Sequence, residues 1–177
     1  MKNHDNLTNL VRAAMFAALA VALGYTLMLI PNVELITVVV FLSGLTLGIK
    51  WGMFVGGLSE FIFSAMNPLG SGLIFPPLIA AQISSMIFVG FAGGILRPFL
   101  FKKNITKIHI FAFGFLGFVL TFIFDSLTTL SYPIAAGFDW PQTIGIYLSG
   151  IGFTILHQVS NGIIFAVGIP RVVKYLA

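Results

Sequence analysis

An all-α integral membrane protein, with six transmembrane helices and both termini cytoplasmic, is the fold class this sequence predicts. Three observations predict it. Of the 177 residues, 58% are hydrophobic and only 8% charged, against about 25% charged in an ordinary soluble domain, so most of the surface faces something other than water. The apolar residues fall into six runs separated by turn formers and charges. All nine Lys and Arg lie at alternate gaps. Lys2 and Arg12 open the first run, and Lys50 sits between the second and third. Arg97, Lys102, Lys103 and Lys107 lie between the fourth and fifth, and Arg171 and Lys174 follow the sixth. The other gaps hold Glu34, Asn67 and Asp139 and no basic residue. By the positive-inside bias, the basic gaps are cytoplasmic.

Each run has its own boundaries. The first covers about residues 9–30 and stops at Pro31-Asn32. Lys2 and Ala18-Leu19-Ala20 imitate a cleavable signal, but the uncharged stretch after Arg12 continues to Ile30, near the ~20 residues a span needs, so it reads as a retained helix. Runs 35–48 and 51–66 are short for spans and joined by a tight turn at Ile49-Lys50. Asn67-Pro68-Leu69-Gly70-Ser71-Gly72 is a loop. The fourth helix covers 77–96, opening at Pro76-Pro77 and ending at Arg97-Pro98. The fifth covers 108–130, residues 131–142 form a loop, and the sixth covers 143–168. No stretch outside them is long enough for a second core, so residues 1–177 form a single transmembrane domain.

Polar residues inside apolar helices cost about 2.5–3.5 kcal/mol when ionisable, and they face partners or cavities. Glu60 and Asp125 are the two such carboxylates, with no Lys or Arg near enough to pair them. In the sixth run Thr143, Tyr147, Gly150, Thr154, His157 and Asn161 are spaced 4, 3, 4, 3 and 4, one stripe on a continuous helix. Asp125 and Tyr132 on the fifth run, Gln82 on the fourth and Asn67 in the loop complete a polar set near the outer side. These side chains either bond between helices or line a binding pocket. Asp139-Trp140 reads as an interfacial anchor or a lid. On the first run Ala14, Ala18 and Ala22 recur every four residues. Small residues at that spacing admit the close approach of another helix, within the bundle or from a partner.

No phosphate-binding loop, metal-ligand cluster or nucleophile–base pair occurs, and there is no cysteine. The expectation is a non-enzyme without metal or cofactor. The net charge of +4 is explained by membrane topology, not by nucleic acid.

The stretch Arg12-Ala-Ala-Met-Phe-Ala-Ala-Leu-Ala resembles the Ala-x-x-x-Ala signature of the substrate-binding S components of energy-coupling factor (ECF) transporters, through Ala14 and Ala18. Pro31 to Glu34, Gly44, Gly48, Gly56-Gly57 and Asn67-Pro-Leu-Gly70 resemble the family's second and third helices and following loop. The resemblance implies a vitamin-type micronutrient captured from outside, in a pocket built mainly from helices four to six and the outer loops. It implies docking through the Ala14, Ala18 and Ala22 face on a membrane scaffold (the T component) with two ATPases. ATP would be used by those partners, and its hydrolysis would topple the S component to release substrate inside. Asn67, Gln82, Asp125, Tyr132, Tyr147, Thr154, His157 and Asn161 would contact the ligand; Glu34 and Glu60 have no assigned role. Cobalamin and a modified nucleobase both remain open as ligands. The competing expectation is a structural six-span protein of the cell-envelope or cell-shape machinery.

Overall fold

The computed structural model describes residues 2–100 and 106–176, with side chains described for 6–98 and 106–175. Lys102, Lys103 and the side chains of Lys2 and His4 lie outside the described residues. Seven α-helices follow in order: α1 (Lys2–Leu27), α2 (Ile36–Leu47), α3 (Ile49–Ala65), α4 (Pro76–Leu100), α5 (Lys107–Ala135), α6 (Trp140–Ser149) and α7 (Ile151–Leu176). One 3-10 turn, Gly72–Ile74, precedes α4, and the described residues hold no strand. Parts of α1, α4, α5 and α7 are long and apolar enough to cross a membrane, whereas α2 is a shorter apolar helix. Its 12 residues span only about 18 Å.

The sixth run is not one helix. It breaks at Gly150, whose amide bonds the Leu148 carbonyl, while the amides of Phe153 and Thr154 both bond the Gly150 carbonyl. Gly145, Gly150 and Gly152 cluster there, and glycine is the weakest helix former after proline. The stripe from Thr143 to Asn161 is therefore divided between α6 and α7. Other boundaries move too: α1 runs Lys2–Leu27, and α4 continues through Arg97-Pro98 to Leu100. The α2–α3 turn is Gly48 alone, at φ 92°, so Ile49 and Lys50 already belong to α3. The expected loop over 131–142 is largely helical, because α5 continues through Pro133 to Ala135 and α6 begins at Trp140. Asp139 is its N-cap: the carboxylate accepts from the Gln142 amide at 2.9 Å, and the Gln142 side chain accepts from the Asp139 amide at 3.3 Å. That reciprocal pair is a capping box.

Helix α4 packs against α2, α3 and α5, α1 lies on α2 and α3, and α5 pairs with α7. The α2–α3–α4 contact is built on backbone. A Cβ on Gly44 would overlap the Gly90 carbonyl, one on Gly90 the Gly52 carbonyl, and one on Gly56 the Met86 carbonyl. With lipid on the outside no hydrophobic force drives helices together, so such close van der Waals approach must supply the association. Phe41 of α2 and Phe165 of α7, both fully buried, meet at 5.3 Å between ring centroids and join the two halves. Ile49 abuts Gly94, which sets the α2–α3 turn beside the Arg97 end of α4. The segment 28–35 and the 66–75 loop lie at the opposite end, with Asn67 and Leu69 lining the same cavity as residues 30–34.

Gly44→Ala and Gly90→Ala are each expected to lower stability by about 1–3 kcal/mol through overpacking. Gly168→Ala, where an added Cβ meets nothing within 4 Å, is expected to leave stability unchanged or raise it by up to about 1 kcal/mol. Thermal unfolding of the three variants in lipid nanodiscs checks both expectations.

Candidate functional site

A cavity of about 250 Å³ lies under the segment that joins α1 to α2. Residues 30–34 form its roof, Gly24 and Met28 one wall, and Phe63, Met86 and Phe124 supply apolar surface. Its polar lining comes from Asn32, Glu34, Glu60, Asn67, Gln82 and His157. The α2 and α3 glycines fix this arrangement, because they bring α3 and α4 close enough for Glu60 and Gln82 to share one space.

Glu34 is the tie between roof and bundle. Its Oε2 accepts the Thr37 amide at 2.9 Å, in the first turn of α2, where the helix dipole favours an anion. Its Oε1 accepts from Asn161 Nδ2 at 2.7 Å, across 127 residues of sequence. Burial opposes ionisation of Glu34, but the adjoining His157 and the bonds from Thr37 outweigh it and hold the carboxyl below the ordinary carboxylate range.

His157 joins α7 to α5. Its Nδ1–H donates to Asp125 Oδ1 at 2.7 Å, which fixes the ring orientation. Its Nε2 stands 3.7 Å from Glu34 Oε1, beyond hydrogen-bonding distance, and has no partner. Phe124 meets the ring edge-on, with centroids 6.1 Å apart. Among the described residues no Lys or Arg pairs with these acids, but a histidine distant in sequence stands between Asp125 and Glu34. Glu60, only 2% exposed, accepts from Ser64 Oγ at 2.7 Å, one helical turn on.

The remaining polar residues divide. Asn67 lines the cavity and folds its own loop, with Oδ1 accepting from the Leu69 amide at 2.9 Å. Gln82 lines it with a buried Oε1 that has no partner. Asp125 and Asn161 stand behind the lining, positioning His157 and Glu34. Three others lie elsewhere. Tyr132 is exposed and contacts Phe75 and Phe138. The Tyr147 hydroxyl bonds Ser126 Oγ at 2.8 Å, pinning α6 to α5. Thr154 donates to the Ile151 carbonyl of its own helix. The lining also departs from a pocket built mainly by the later helices: α1 to α4 and their connections supply most of it, and Phe124 and His157 alone come from α5 and α7. Glu34 and Glu60 were without a role in the sequence reading. The signal for Glu34 was an acid immediately ahead of an apolar helix start.

On the outside of α1 the small residues separate into two lines. Ala13, Ala17 and Ala20 are buried against the bundle. Ala14, Ala18 and Ala22 are exposed, and the last two line a groove with Arg12, Met15 and Leu19.

No curated protein and no solved structure matches the chain. A family model described as the substrate-specific component of ECF transporters matches residues 8–177. That span takes in the cavity, its roof and both alanine lines, so the chain belongs to the family of ECF transporter substrate-specific components.

Proposed function

We propose that this chain captures a vitamin-type micronutrient from the outer side of the cell membrane, in the cavity beneath residues 30–34, and delivers it through a T component and two ATPases. The observation that carries the reading is the half-open cavity, whose largely apolar lining carries Glu34, Glu60, Gln82 and His157. It lies at the end of the bundle away from Lys50 and Arg97, and the positive-inside bias assigns those two residues to the cytoplasm. Six crossings with both termini inside are consistent with this: α2 and α3 would each make a short, locally thinned passage. At about 250 Å³ the cavity falls just below the usual range of ligand pockets, about 300–1,000 Å³. That supports a ligand of nucleobase size over one as large as cobalamin. The family match leaves the cell-envelope structural reading without support.

The exposed line Ala14, Ala18 and Ala22 supports docking through α1. Its side chains are not used by the bundle, and their size admits a partner helix at close range. The chain supplies no phosphate-binding loop, so ATP binding is assigned to the partners.

Replacing Ala14 and Ala18 with Trp is expected to abolish co-purification of the T component and ATPases from native membranes, with ligand binding retained. Loss of binding in the same variant would refute the docking role. Gln82→Ala is expected to weaken binding of the transported nutrient roughly tenfold, about 1.4 kcal/mol, and leave assembly intact. Calorimetry of the purified variant checks it, and unchanged affinity removes Gln82 from the site.

A further inference from the structure

The charge of the cavity lining is one-sided, and this deepens the capture reading on which it rests. Among the described residues, none lining the cavity is Lys or Arg. Two lining carboxylates, Glu34 and Glu60, are met only by neutral donors within hydrogen-bonding distance: Asn161 and the Thr37 amide for the first, Ser64 for the second. The one ring that can carry positive charge, His157, is already engaged by a third carboxylate, Asp125. A protonated His157 thus sets one positive charge against three acids. His157 Nε2 stands 3.7 Å from Glu34 Oε1, too far for a hydrogen bond. That nitrogen belongs to a residue only 8% exposed and has no partner. The buried Gln82 Oε1, also unpartnered, is an acceptor. Buried acceptors without donors are costly, and buried carboxylates more so. What the cavity lacks is positive charge to match its acids, its own side-chain donors being the neutral amides of Asn32, Asn67 and Gln82.

We infer that the substrate is a small organic cation bearing N–H donors, an ammonium or amidinium head on a compact apolar or aromatic body. The head would sit between Glu34 and Glu60, within reach of Gln82 Oε1. The body would lie against Phe63 and Phe124, whose ring faces also attract cations. The aromatic surface of Phe63 and Phe124 beside the carboxylates suits an organic cation. The occupant also explains the roof: a cation bridging Glu34 to Glu60 would strengthen the tie that closes residues 30–34 over it.

Three probes of nearly equal shape separate charge from fit: benzamidine, benzamide and benzoate. Thermal unfolding of the full-length protein in nanodiscs should show benzamidine raising the midpoint at roughly tenfold lower concentration than benzamide, and benzoate raising it not at all. Glu60→Gln should remove the preference; if far-UV circular dichroism shows that variant unfolded, Glu34→Gln carries the same expectation. Equal shifts from the three probes, a preference for benzoate, no shift with any, or a preference surviving the substitution would each overturn the inference. The same preparation is then titrated with the small-molecule portion of yeast extract. A shift there without any preference for benzamidine retires the cationic class and keeps the capture function. No shift there and none with the probes retires both.

Discussion

Taking carboxylates out of water inside an apolar bundle is the constraint on which the rest of this structure depends. Each ionised acid left unpaired would cost several kcal/mol, so the fold must bring a donor to every one from wherever the chain can supply it. Ser64 answers Glu60 within one helix. Asp125 has no local answer and draws on His157 of α7, while Glu34 adds Asn161 of α7 to the Thr37 amide beside it. The two α7 residues lie one helical turn apart, so they present their side chains to the same region. In meeting these demands the chain closes itself: α5 is fastened to α7, and the segment ahead of α2 is fastened over the space between them.

The glycine contacts make that closure possible. Packing of ordinary side chains would hold helix axes about 8–10 Å apart. The absence of Cβ atoms at Gly44, Gly52, Gly56 and Gly90 lets backbones touch backbones, so the thin α2–α3–α4 slab places Glu60 and Gln82 on one cavity. The rigid part of the molecule is therefore a matter of missing atoms, while the recognising part is a matter of polar atoms lacking partners.

Much of this was legible in the sequence, and the failures have physical causes. Hydropathy and turn residues located the long helices α1, α4 and α5, because lipid demands continuous apolar runs. Gln82, His157 and Asn67, which line the cavity, stand out in the sequence because polar side chains in an apolar chain are conspicuous. Periodicity misled at the sixth run: a spacing of 4 and 3 presumes a continuous helix, and Gly150 interrupts it, so Tyr147 lies apart from His157, while Thr154, on α7 itself, gives its hydroxyl to the Ile151 carbonyl. The capping box at Asp139 and Gln142 was present in the sequence but was read there as an anchor or lid. Glu34 and Asn161 could not be paired in advance, since no local rule joins residues so far apart. The two alanine lines were visible as spacing, yet only the packing of α1 on α2 and α3 separates the buried line from the exposed one.

The roof of the cavity is also the continuation of α1. Residues 28–35 link the last turn of α1 to the first of α2, and Glu34 anchors their far end to α2 and α7. α1 is thus a lever with the cavity cover on its short arm. A tilt of α1 relative to the slab must be absorbed in those few residues, and the bond from Asn161 resists it. Force applied along the exposed side of α1 would therefore reach the cavity by two routes, through residues 28–35 and through α3, where the Tyr25 hydroxyl donates to the Ile62 carbonyl.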